Sequence, residues 1–74
     1  MLNQHSKELE AKIKMIRAES GKSLFTKRET AHELGGISIS SLDRIRKAGS
    51  IKSRRVGGKI MFSIEEISRF LVEG

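Results

Sequence analysis

TKRETAHELGGISISSLDRIRK, residues 26–47, decides the fold. Thr26 and Glu29 stand at the spacing of a capping box, in which each side chain satisfies the other's free backbone donor. A helix is therefore expected over about residues 27–34, with Ala31 and Leu34 on its inner face. Gly35-Gly36 then ends the helix and lets the chain reverse, because glycine tolerates positive φ. Ser38 is a good N-cap for a second helix covering Ile39 to Lys47 or Ala48. Ile39, Leu42 and Ile45 define its buried side. Ser40, Asp43, Arg44 and Lys47 fall at i, i+3, i+4 and i+7, a single outward stripe. Gly49 stops the helix, and Ile51 is expected back in the core. Two helices joined by a tight glycine-containing turn make a helix-turn-helix.

Downstream, Lys52-Ser53-Arg54-Arg55-Val56 runs into Gly57-Gly58 and out through Lys59-Ile60-Met61-Phe62. Two glycines between extended runs are a hairpin signal, since a two-residue turn needs positive φ at both positions. Such a turn pairs Val56 with Lys59 and Arg54 with Met61. Ile60 and Phe62 take the core side, which asks Arg55, on the same face, to pack its stem and carry its guanidinium to the rim. Ser63-Ile64-Glu65-Glu66 reads as a second capping box. It starts a helix from Ile64 to about Val72, with Ile67, Phe70 and Leu71 inward. Upstream, Phe25 is expected to serve the core. Asn3 to Glu19 contains no Gly or Pro, and Leu2, Leu9, Ile13 and Ile16 give it one narrow apolar stripe. Ser20-Gly21 is its stop. The stripe either packs on the domain or pairs with a second copy. About two heptads, interrupted by Ser6 and Ser20, are too short for a stable coiled coil alone.

The chain has 74 residues, no Cys and a formal net charge of +6. That length makes one domain, burying only about 60% of its unfolded surface. The charge is unevenly placed. Residues 23–62 hold nine basic and three acidic side chains, hence +6, against +2 for residues 1–22 and −2 for residues 63–74. Between Arg44 and Phe62 stand Arg44, Arg46, Lys47, Lys52, Arg54, Arg55 and Lys59, with no acid among them. A one-signed cluster over two adjoining structured elements is the electrostatic footprint of a nucleic-acid binder.

Other classes fit less well. An enzyme needs chemistry that this chain lacks: Asp43 is its one Asp, and neither His5 nor His32 has a neighbour suggesting a dyad or a metal site. Gly21-Lys22-Ser23 resembles the end of a phosphate-binding loop, but Ile16 occupies the position where that loop needs glycine. Sequence-specific RNA binders stack bases on aromatics, and Phe25, Phe62 and Phe70 are all wanted by the core. A protein-interaction module would turn the basic face to an acidic partner. Glu8, Glu10 and Glu19 spoil residues 1–19 as a membrane-surface helix. No apolar run approaches a membrane span, and Met1 to Glu10 lacks the apolar stretch of a secretory signal. The expectation is a non-enzymatic protein of a reducing, cytoplasmic setting, without cofactor or metal.

On duplex DNA each outward residue has a role. The second helix enters the major groove with its early residues at the base edges. Ser38 caps it. Ser40 and Ser41 bond a base or a phosphate, Arg44 suits guanine O6 and N7, Asp43 accepts from cytosine N4 or orients Arg44, and Lys47 meets phosphate. The hairpin projects as a wing. Gly57-Gly58 lets the backbone approach the duplex, while Arg54, Arg55 and Lys59 suit its negative potential.

The run Leu24 to Ile45, continued by Arg55-Val56-Gly57-Gly58-Lys59-Ile60, resembles the excisionase-type, MerR-like winged-helix family of phage, plasmid and transposon proteins. The matching pieces are the Thr-capped helix with Glu29 and Ala31, the Gly-Ile-Ser start of the next helix, Arg44, Gly49 and, most specifically, Arg55-Val56-Gly57-Gly58-Lys59. The start of the closing helix at Ser63 fits too. Asp43 stands where that family often has an aromatic residue, and residues 50–52 lack its common proline. The resemblance covers about residues 23–72. It implies a mainly α fold with a small β-hairpin, a winged helix-turn-helix at residues 23–74; residues 1–22 fall outside the shared pattern and are expected as a helical extension from their own sequence. It also implies two jobs on double-stranded DNA. One is an excisionase, or recombination directionality factor, working with a cognate integrase. The other is a small transcriptional regulator of a mobile element. Self-association on DNA or through the first helix is compatible with either.

Overall fold

The computed structural model describes residues 4–73; Leu2 of the apolar stripe and the side chain of His5 lie outside what it describes. In chain order the elements are α1 (Gln4–Ser20), β1 (Leu24–Thr26), α2 (Lys27–Glu33), α3 (Ile39–Lys47), β2 (Arg54–Val56), β3 (Lys59–Ser63) and α4 (Ile64–Glu73). The protein is mainly helical, with one antiparallel sheet in the order β1-β3-β2.

Local chemistry sets most boundaries. Glu29 N–H donates to Thr26 Oγ1 at 3.1 Å and Thr26 N–H to Glu29 Oε1 at 3.0 Å, so the capping box at α2 is complete. α2 and α3 end alike. Gly36 N–H donates to the Ala31 carbonyl and Gly35 N–H to His32; Ser50 N–H donates to Ile45 and Gly49 N–H to Arg46. This paired closure needs a left-handed residue, and Gly35 (φ 99°) and Gly49 (φ 85°) supply it. The hairpin turn has φ 58° at Gly57 and 83° at Gly58, and the register pairs Val56 with Lys59 and Arg54 with Met61, as its sequence predicts.

The core comprises Ile16, Phe25, Ala31, Leu42, Ile51, Phe62, Ile64 and Ile67, with Ile13, Leu34, Ile37, Ile45, Ile60 and Phe70 packed around it. α1 lies principally against α4. The N-terminal helix therefore packs on the domain, and Ile16 joins the same core as Phe62.

Four readings of the sequence change here. A third strand, β1, pairs with β3 in the register Phe25↔Phe62 and places Phe25 in the sheet. Ile39 is 41% exposed: it lies about 120° around the α3 axis from Ile45, and the helix buries Leu42 with Ile45 partly buried beside it. Leu71 is exposed in the last turn of α4, whereas Ser68 is buried. β2 is exposed at all three positions, Arg55 among them, which leaves its guanidinium at the surface. The second capping box forms by half. Glu66 N–H donates to Ser63 Oγ, but the Glu66 carboxylate turns to Lys52 N–H at 3.0 Å and to Arg69 at 2.7 Å.

That carboxylate predicts a pH dependence. Arg69 first, and then the Lys52 N–H, hold its pKa below the ordinary value of 4.5. The folded pKa lies below the unfolded one, so the stabilisation is complete above the ordinary value and is lost as pH falls through the lowered one. Glu29, paired with Lys22 and Thr26, behaves the same way. The urea midpoint should fall on acidification below pH 4.5, and Glu66→Gln should fall less steeply. Parallel curves would show that Glu66 carries none of the loss.

Thr30 and Ser68 are fully buried, and neither hydroxyl meets a hydrogen-bond partner among the described residues. Such a group keeps its desolvation cost without return. Thr30→Val preserves β-branching and shape, and should raise stability by about 1 kcal/mol, seen as a higher urea midpoint at unchanged slope. A lower midpoint would assign the hydroxyl a partner.

Candidate nucleic-acid interface

α3 presents Ser40, Arg44 and Lys47 to solvent. They lie within about 60° of one another around the axis, which makes a single ridge. Ser38 caps the helix, accepting from Ser41 N–H at 3.1 Å, and its own hydroxyl donates to Ser41 Oγ at 3.0 Å. The Ser41 proton therefore remains available to an outside acceptor. Arg44, Arg46 and Lys47 occupy the last turn, where the helix dipole favours cations.

Asp43 does not orient Arg44. It is half-buried at the edge of the ridge, with its Oδ1 3.0 Å from Lys27 Nζ and 3.3 Å from Arg46 Nη2. Lys27 first, then Arg46, hold its carboxyl below the usual range. Of the seven clustered cations, Arg46 is thus turned to a neighbour on its own helix, while Arg44, Lys47, Lys52, Arg54, Arg55 and Lys59 are exposed.

The hairpin tip is exposed throughout: Arg54, Arg55, Val56, Gly57, Gly58 and Lys59. It is joined to α3 by residues that the sequence reading left out. Lys27 and Arg28, in the first turn of α2, line a shallow groove with Gly58, Lys59, Ile60 and Met61. On its other side Lys27 bridges to Asp43 of α3. The first turn of α2 therefore stands between the α3 ridge and the hairpin tip, making one basic tract of three elements. A local inconsistency marks these two residues in the sequence. Cations in the first turn of a helix oppose its dipole, so their placement asks for another reason.

No helix among the described residues is long and apolar enough to cross a membrane. No family model, curated protein or solved structure matches this chain.

Proposed function

We propose that the chain is a sequence-specific binder of double-stranded DNA, built as a winged helix-turn-helix. α2 and α3 form the helix pair, α3 enters the major groove, and the β2–β3 hairpin is the wing. The observation that supports this reading best is the link through Lys27 and Arg28, which brings the α3 ridge and the hairpin tip to neighbouring positions. Ser40 and Arg44 face the bases, Lys47, Lys27, Arg28 and Lys59 the phosphates, and Gly57-Gly58 allows close approach of the backbone. Within this class, Arg55-Val56-Gly57-Gly58-Lys59 favours an excisionase-type protein of a mobile element, acting with its integrase on attachment-site DNA.

Binding by this tract releases counterions. With about five phosphates neutralised, log K should fall against log salt with a slope of about −4 to −5. A flat dependence, or indifference to duplexes in dilute buffer, refutes the reading. Excision by the cognate integrase with and without the protein then tests the particular job. An unchanged balance between integration and excision would remove it and leave DNA binding standing.

A further inference from the structure

The junction between α3 and the hairpin has no regular structure of its own, yet three successive residues in it are held. Arg69 Nη2 donates to the Ser50 carbonyl at 3.1 Å. The Ile51 side chain is 1% exposed within the core. Lys52 N–H donates to Glu66 Oε1 at 3.0 Å. Glu66 and Arg69, one turn apart on α4, are themselves joined at 2.7 Å, and Arg69 Nη1 is held by Glu73 at 3.1 Å. A junction outside strands and helices must find partners for its backbone groups, and here one charged pair on another element supplies them on both sides of Ile51.

We infer that Glu66 and Arg69 form a clamp that fixes where the hairpin stands relative to α3, and so holds the two basic elements in register for one duplex. The inference rests on the DNA-binding reading above. Both are positioning residues. Arg69 is committed to Ser50, Glu66 and Glu73, so the pair acts on the duplex only through the junction. Register matters because misplacing one of two docked elements loses the contacts that need both, while contacts made by either alone survive.

The test uses the full chain, a duplex selected from a random library by the wild type, and a scrambled duplex. Glu66→Ala should stay folded with a cooperative melt. Its Lys52 amide should exchange about tenfold faster, the loss expected for a hydrogen bond to a charged acceptor. Affinity for the selected duplex should fall about tenfold while the scrambled duplex is bound almost as before, and the salt slope should not change. Glu66→Gln keeps an acceptor for Lys52 N–H and should restore most of the preference. Arg69→Leu, which keeps the stem and loses the Ser50 contact, should resemble Glu66→Ala. Equal losses on both duplexes, a shallower salt slope, or unchanged Lys52 exchange would overturn the clamp. A wild type that binds neither duplex overturns the DNA reading itself, whereas a binding wild type with wild-type-like variants overturns the clamp alone.

Discussion

Phe62→Ala should cost about 3–5 kcal/mol and leave much of the chain unfolded without denaturant. A fold of this length holds on the order of 4–11 kcal/mol in total. Phe62 is fully buried in β3, the central strand, and stands directly opposite Phe25 of β1. Removing the ring opens a cavity where the sheet meets the helices and breaks an aromatic pair across the strands. Far-UV circular dichroism through a urea titration measures the loss. Phe70→Ala, at a half-buried position beside the core, should lose clearly less. Equal losses at the two positions would show that the sheet is not the centre of the packing.

Arg44→Ala should weaken binding to preferred duplexes by about 1–3 kcal/mol and relax base choice at one position. Arg44 is exposed on the α3 ridge beside Ser40, away from the Lys27–Asp43–Arg46 cluster, so its loss leaves the folded structure intact. Lys59, at the hairpin tip, offers the contrast. A phosphate contact carries no sequence information, so Lys59→Ala should weaken all duplexes alike and lower the salt slope by about one. Competition titrations with selected and scrambled duplexes separate the two patterns. Uniform losses from Arg44→Ala would remove it from base reading.

The sequence disclosed what depends on neighbours along the chain. The Thr26–Glu29 box, the Ser38 cap, the Gly35 and Gly49 stops and the Gly57-Gly58 turn are closed by residues a few positions apart, and each stands as read. The readings that changed depend on distant partners. β1 is three residues long, too short for a period-two signal, and exists because β3 offers it an edge. Glu66 left half of its capping box because Lys52 N–H and Arg69 hold its carboxylate. Asp43 was legible as the odd acid in a basic tract, but its partner Lys27 lies on another helix. The candidate site was legible as charge on α3 and the hairpin; the α2 turn that joins them was visible only as two cations at an unfavourable helix end.

The position of β3 also bears on when this protein can take shape in the cell. Its strand neighbours precede it on both sides of α2 and α3, and Ile16 meets Ile64 and Ile67 in one cluster. A nascent chain still holding residues 62–67 inside the ribosomal tunnel has neither its central strand nor the helix on which α1 rests. α2 and α3, of seven and nine residues, are too short to persist alone. Folding of the core therefore waits until those residues have left the tunnel, because the segments made earlier have no central strand to close on.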